Sequence, residues 1–523
     1  MGIKNFYHTF KRVFSASIVN ILPTIKKYDI LIIEINGIFY HAIDHLEKQQ
    51  KEKITHMKIF EYCSKQIMLL VDRYEKYLQK NASILIVMDG VAPLMKMRTQ
   101  RQRRLKNCIK KSSVDSFDLN ALSVGTTFIN FMSKYIDWWL RKYIHSNNQT
   151  NDKSKNFSFY FNNEKNKGEG EIKSIRFIKK YATKHRTNIL LNSMDADWII
   201  ASLLLSDYNI TIHRQQDFIS NQLFIQEILR LYSFDHDRHL SLKDFFLMFL
   251  FLGNDYVDPI ENLDFDTLLK VVFTEYKKLK CHLFSSDMTN NNLIISNFKK
   301  LTLMIHVRLF ESDKENTTKL LQLQKKTNNN NNISNQKQEN EQDYVRTIDY
   351  IFNLQNIIDM HHSDNFEWGF YYTHPTIPSL LSFQSIDDSI QICRYNRRRQ
   401  NDDDEEINFD IYYRLLLILP KSSSKKLLPS CLSSKIEDNL YEEKILYDIK
   451  FNQVHLCDTN KLQRFQESCK DIYKKNKHKL SDDEKKRSLS GKVFLYKYDP
   501  NIQKTIRSYY GDLYNNKVRL IHL

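Results

Sequence analysis

Seven carboxylates in the first half of this chain are spaced so that they could act together. Glu34 closes the apolar run Ile30-Leu-Ile-Ile-Glu34, Asp89 closes Ile84-Leu-Ile-Val-Met-Asp89, and Asp195 and Asp197 follow Ile189-Leu-Leu-Asn192. The two-residue spacing of Asp195 and Asp197 predicts both carboxylates on one side of an extended chain. Glu169 and Glu171 lie in Gly168-Glu-Gly-Glu171, whose glycines let the backbone approach whatever the glutamates hold, and Asp255 follows the apolar helix 245–252. Taken singly, each is what a helix cap or a solvated charge looks like. As a set at strand ends they would repel one another unless cations neutralise them. Hard divalent ions with oxygen ligands do this, and two Mg²⁺ or Mn²⁺ ions roughly 3.5–4 Å apart form the arrangement that splits phosphodiesters.

A second signal follows Asp89. In Lys96-Met-Arg-Thr-Gln100-Arg-Gln-Arg103-Arg104, helical spacing predicts Lys96, Gln100, Arg103 and Arg104 on one cationic stripe, with Arg98 and Arg101 pointing elsewhere. Such a stripe can grip a terminal phosphate, Arg through paired hydrogen bonds and Lys as a point charge.

These residues need a scaffold that brings strand ends to one rim. The runs at 30–34, 84–89, 189–192 and 209–213 are short and β-branched, as buried strands are. Between them, 58–80, 126–144 and 171–182 have helical spacing, which predicts an α/β fold with a mainly parallel sheet flanked by helices. In open sheets of this kind the ligand site lies outside the carboxyl ends of the strands. The polar, Asn-rich tract near 315–342 predicts a linker between 1–314 and a mostly helical 343–523, and Arg397 to Glu406 predicts a surface loop.

A length of 523 residues excludes a disulfide miniprotein or a lone binding module. A net charge of +16, from 78 Lys and Arg against 62 Asp and Glu, favours a polyanionic partner. Seven scattered cysteines without a CxxC pair predict a reducing compartment and no structural zinc. No secretory leader is expected from MGIKNFYHTFKRVF, and the longest apolar run, 245–252, is far short of a bilayer span. An intracellular protein follows, cytoplasmic rather than nuclear, without a membrane partner.

Asp89-Gly-Val-Ala-Pro-Leu-Met-Lys96, Gly168-Glu-Gly-Glu-Ile-Lys173, Met194-Asp-Ala-Asp-Trp198 and Leu252-Gly-Asn-Asp-Tyr256 resemble, in order and spacing, the signature blocks of XRN-type 5′→3′ exoribonucleases. Met1-Gly-Ile-Lys-Asn-Phe6, Asn36-Gly-Ile38 and the block 117–128 support the resemblance, as do Trp368-Gly-Phe-Tyr-Tyr372, Leu419 to Pro429 and Leu480 to Arg487. It implies a PIN/flap-nuclease-like domain and a second region that walls the active site. It implies two Mg²⁺ ions on Glu34, Asp89, Glu169, Glu171, Asp195, Asp197 and Asp255. It further implies a 5′-monophosphate pocket at Lys96, Gln100, Arg103 and Arg104, and hydrolysis of single-stranded RNA to mononucleotides by a monomer without haem or nucleotide cofactor.

The chain departs from the family pattern at several positions. Glu34 stands where Asp is usual, Tyr40 with His41 beside it where a base-stacking His is usual, and Ile172 where the GEGE block carries His; the family's stacking Trp has no counterpart, and its further C-terminal domains are not expected. Two other readings share some of these features. A flap-endonuclease-like DNA nuclease uses a similar carboxylate cluster, but Asp255-Tyr-Val-Asp-Pro-Ile-Glu261 lacks the Gly-rich hairpin of its duplex-binding motif; an RNA 5′-end-binding protein with weakened catalysis is the other.

Overall fold

The computed structural model describes residues 6–19, 27–49, 54–110, 116–150, 156–234, 237–285, 292–310, 333–363, 366–374, 376–388, 407, 409–436, 447–450, 453–456, 459–488 and 491–523. Residues 1–5 of the N-terminal block, residues 315–332 of the expected linker and the loop 397–406 lie outside them. The chain forms two compact units: Met1–Ile18 with Asp195–Ser206 and Ser220–Asn401, and Val19–Met194 with Asp207–Ile219 and Asp402–Leu523. These units interleave along the chain and do not follow the expected ranges 1–314 and 343–523. Residues 333–342, assigned to the linker from composition, instead open the helix Ile333–His362.

In the unit containing residues 19–194, a sheet gathers the strands β1 (Tyr28–Glu34), β2 (Leu78–Val87), β3 (Ser158–Asn162), β4 (Asn188–Asn192), β5 (Asn209–Arg214) and β6 (Asp217–Ser220). Near the C-terminus, β7 (Phe494–Tyr498), β8 (Lys504–Ile506), β9 (Leu513–Asn516) and β10 (Val518–His522) follow. The order β6-β5-β4-β1-β2-β3-β7-β10 has the parallel arrangement expected at its centre. The registers Glu34↔Val87, Ile33↔Asn192 and Val87↔Asn162 align the carboxyl ends of β1 to β4 on one rim. The apolar runs are buried on both sides: Leu31, Ile33, Ile84 and Ile86 pack with Phe60, Ile67, Met132 and Ile136 of the helices His56–Glu75 and Thr127–Thr150.

Three expectations are corrected here. The helix read through Lys80 stops at Glu75, because Tyr28 donates its backbone N–H to the Tyr77 carbonyl at 2.8 Å and residues from Leu78 enter the sheet. β3, rich in aromatic residues, was missed, although Phe157-Ser-Phe-Tyr-Phe161 is a β-rich run. The C-terminal region is not simply helical: Phe494↔Phe161 and Tyr496↔Phe159 add β7 antiparallel to β3, with β10 outside it.

The other unit is helical. Phe6, Phe10 and Phe14 pack edge-on against Phe224, Phe249 and Phe265, around the helices Asn221–Tyr232 and Arg238–Leu250. Among the described residues no helix is long and apolar enough to cross a membrane.

His213 in β5 gives the sheet unit a testable pH response. It is buried against Tyr74, Asn192 and the Phe218 ring, and burial pushes its pKa down to about 4, with Arg73 acting in the same direction and Asp217 opposing. The unfolded chain then binds this proton more readily than the folded one, so stability falls as pH drops from about 6.5 to about 4, by on the order of 3 kcal/mol from this group. NMR titration is expected to show a His213 ring that stays neutral until about pH 4; protonation near 6.5 would remove the effect.

Candidate active site

At the rim, Glu34 ends β1 and Asp89 lies two residues beyond β2, both half-buried. Asp89 is fixed from two sides: its backbone N–H donates to Asn36 Oδ1 at 2.8 Å, and its Oδ1 accepts the Gly170 N–H at 2.7 Å. Glu34 Oε2 accepts the Ser193 hydroxyl just past β4, which holds the longer side chain in place. The two carboxylates converge on Gly170, where a Cβ would lie 3.1 Å from Glu34 Oε1 and 3.3 Å from Asp89 Oδ1. The preceding Gly168 has φ +100°, which permits the turn into the helix Gly170–Tyr181. Gly170 thus brings backbone up to the Glu34 and Asp89 carboxylates, a different approach from the one expected toward whatever Glu169 and Glu171 hold.

Glu169 is buried and held by Lys96, whose Nζ lies 2.6 Å from Oε1 and 2.7 Å from Oε2. This corrects the expected stripe. Pro93 introduces a single 3₁₀ turn, Leu94–Lys96, before the helix Met97–Lys110, so Lys96 is not a member of the helix and reaches Glu169 instead. Gln100 and Arg103 are half-buried on the helix. Arg104 is buried, with Nε donating to Ser123 Oγ at 3.0 Å. Burial lowers its pKa, partly offset by Tyr40, Glu169 and Asp89 and reinforced by Arg103. Arg101 does point elsewhere: it donates to the carbonyls of Leu417 and Leu419 at 2.9 and 3.4 Å and stacks 4.4 Å over the Phe465 ring. Tyr40 is 45% exposed, whereas His41 turns to the Tyr62 hydroxyl at 3.2 Å. Successive helical residues point about 100° apart, which separates the pair.

Lys173 closes the block that begins at Gly168. It is buried and donates to the carbonyls of Met88 and Asn163 at 2.8 and 2.6 Å, joining the ends of β2 and β3. Burial pushes its pKa down to about 7, while Asp89 and Glu164 pull it up and Arg176 lowers it further. Two partners escape the sequence reading: Ser193, directly after β4, which donates to the Glu34 carboxylate, and Asn36, two residues past β1, whose Oδ1 accepts the Asp89 backbone N–H.

In the helical unit, Asp197 opens the short helix Asp197–Ala201 and donates its backbone N–H to Asp195 Oδ1 at 3.0 Å. The pair therefore sits in a turn, because Ala196 is helical (φ −78°, ψ −18°), and not on an extended chain. Asp255 is buried in the loop after Arg238–Leu250, where Gly253 has φ +72° and Asn254 Oδ1 accepts the N–H groups of Tyr256 and Val257.

Among the described residues no three His, Cys, Asp or Glu side chains stand grouped as a ready metal cluster. Mg²⁺ is commonly held by one or two carboxylates together with water and substrate phosphates, and Glu34 with Asp89 meets that requirement in donor type and convergence. The buried Lys96–Glu169 pair makes its own prediction. Lys96→Met strands a buried carboxylate and is expected to cost about 3–5 kcal/mol, while Lys96→Met with Glu169→Gln recovers most of it. Urea unfolding of the single and double variants measures this, and additive losses would deny the pairing.

Residues 1–216 match the family model described as XRN 5′-3′ exonuclease N-terminus. Similar curated proteins include 5′-3′ exoribonuclease 1 of Schizosaccharomyces pombe (25% identical over 331 residues, 53% of this chain and 24% of the relative) and of Homo sapiens (22% over 362 residues, 60% and 20%). The chain thus spans about a quarter or less of these relatives' length. Among solved structures, the catalytic core of Rad2 in complex with DNA substrate aligns with 73% of this chain and 94% of its own, at 13% identity and a TM-score of 0.35. The T5 D15 protein co-crystallized with metal ions aligns with 53% and 88%, at 10% identity and 0.26. The acidic strand ends Glu34 and Asp89, the GEGE turn and the match to the XRN 5′-3′ exonuclease N-terminus thus fall on the same residues, 1–216, and it is through these that the chain is similar to that family.

Proposed function

We propose that the chain is a metal-dependent 5′→3′ exoribonuclease that hydrolyses single-stranded RNA bearing a 5′-monophosphate and releases mononucleotides. The observation that carries this reading is the convergence of Glu34 and Asp89 on Gly170 at the carboxyl rim of a parallel sheet. The proposed oxygen donors for two Mg²⁺ or Mn²⁺ ions are Glu34, Asp89, Glu169, Glu171, Asp195, Asp197 and Asp255. When bound, such an ion supplies a water of lowered pKa and neutralises charge on the phosphoryl oxygens. Ser193 and the Gly170 N–H orient the carboxylates. Gln100, Arg103 and Arg104 bind and orient the terminal phosphate, and Tyr40 offers an exposed ring to the first base.

A terminal monophosphate carries more charge than an internal diester and meets several donors at once. Arg103→Ala is therefore expected to slow 5′-monophosphate RNA by roughly tenfold or more and 5′-hydroxyl RNA little, so that the preference between them collapses. Equal slowing of both would make Arg103 a general backbone contact.

A second reading, RNA 5′-end binding with weakened cleavage, draws on the Lys96–Glu169 pair, in which an ammonium already neutralises one proposed ligand. It requires 5′-monophosphate RNA to bind tightly and persist in Mg²⁺. Rapid loss of the RNA rejects it.

A further inference from the structure

The two most exposed large apolar side chains among the described residues, Tyr509 at 92% and Tyr514 at 68%, lie on the segment that runs through β8 and β9. This segment is pinned from inside. The Gly511 carbonyl accepts from Trp138 Nε1 at 2.8 Å, and the Tyr510 hydroxyl donates to the Phe131 carbonyl at 2.8 Å while its ring meets Tyr135 edge-on at 5.1 Å. Asn516 Nδ2 donates to the Arg141 carbonyl at 3.1 Å. The outward rings thus stand on a fixed frame, with Tyr509 meeting the pinned Tyr510 ring edge-on at 5.4 Å.

Charge accompanies them. Lys504 and Arg507 on the same segment form no ion pair among the described residues, and Lys142 lies 5.2 Å over the Trp138 ring. The nearby carboxylates are already engaged: Asp512 by the Ser508 N–H and Tyr514, Asp499 by Arg519, Asp137 by Arg141 and Tyr496. Unpaired cations beside exposed aromatic faces suit a polyanion whose flat groups are open to stacking, which single strands offer and duplexes do not.

We propose that the 504–516 hairpin is a second contact for single-stranded RNA, with Tyr509 and Tyr514 stacking on bases and Lys504 and Arg507 following the phosphates. This rests on the reading of the chain as acting on single-stranded RNA. Because β7 runs antiparallel to β3, the chain enters the hairpin from the rim opposite Glu34 and Asp89, and the hairpin then packs along the helix Thr127–Thr150 from Arg141 to Phe131.

The test measures affinity in EDTA for a long single-stranded RNA with a 5′-hydroxyl, so that cleavage and the 5′-phosphate do not enter. Tyr509→Ala with Tyr514→Ala is expected to weaken binding by roughly tenfold or more, since one stacked base is worth about fivefold to 150-fold. The corresponding Phe pair is expected to retain wild-type affinity within about twofold, because the ring face remains. Lys504→Ala with Arg507→Ala is expected to flatten the log–log salt slope by roughly 1.4. Turnover of a 5′-phosphorylated dinucleotide in Mg²⁺ and affinity for duplex RNA are expected to stay unchanged in the Tyr→Ala pair. Unchanged single-strand affinity overturns the proposal and leaves the face to a protein partner; equal loss for duplex also overturns it, since stacking would not be the cause. Failure of the nuclease reading shows separately, as wild-type protein that does not cleave in Mg²⁺.

Discussion

Asp89→Asn is expected to lower Mg²⁺-dependent turnover of single-stranded RNA by at least roughly 100-fold while the protein keeps its fold. The substitution preserves shape and retains an Oδ1 that can accept the Gly170 N–H, now 2.7 Å from Asp89 Oδ1, so the geometry of the rim has no reason to change. It removes the charge. In the metal-free protein that loss relieves repulsion from Glu34 and withdraws one favourable charge from Lys173, two small effects of opposite sign. Thermal melting in EDTA is therefore expected to move little, whereas wild-type protein is expected to gain stability from added Mg²⁺ and the variant to gain less. Wild-type turnover in the variant would take Asp89 out of the chemistry.

Gly170→Ala separates the site from the fold in a different way. Alanine favours a helix over glycine by about 1 kcal/mol in helix interiors, and Gly170 opens the helix Gly170–Tyr181, so stability is expected to hold or rise slightly. The new Cβ, however, would stand 3.1 Å from Glu34 Oε1 and 3.3 Å from Asp89 Oδ1. Both carboxylates must yield by a few tenths of an ångström, and the Ser193 bond to Glu34 limits where it can go. Since about 1 Å of misplacement can cost roughly 100-fold, a loss of roughly tenfold is expected here. Paired melting and turnover measurements check it. Lower stability with unaltered turnover per folded molecule would show that the carboxylates do not work from these positions.

The parallel core and its rim were legible because runs such as Ile84-Leu-Ile-Val satisfy a strand's needs locally, and strand ends in such sheets share one side. The glycines of Gly168-Glu-Gly-Glu171 were legible for the same reason: a positive φ and a close approach are properties of the residue type. What escaped depends on partners remote in sequence. Lys96 finds Glu169 across 73 positions, and Arg101 finds Leu417 across 316, so helical periodicity could exclude Arg101 from the stripe but could not remove Lys96 from it. Phe494–Tyr498 becomes a strand because β3 offers it an edge, and its own alternation of aromatic residues with Leu495 and Lys497 does not outweigh the helical patterns before it. The turn at Asp195-Ala-Asp197 escaped for a local reason, because an Asp two residues before a backbone N–H favours capping over extension.

The proposed reaction is metal-dependent removal of nucleotides from an RNA 5′ end by the carboxylates of this rim. It is tested most directly by incubating one 3′-end-labelled single-stranded RNA, with a 5′-monophosphate, with wild-type protein and with Asp89→Asn, in Mg²⁺ and in EDTA. Wild-type protein is expected to shorten the labelled strand stepwise from its 5′ end in Mg²⁺ alone, with mononucleotides as the released product. Internal cuts, shortening that persists in EDTA, or equal digestion by Asp89→Asn would contradict it.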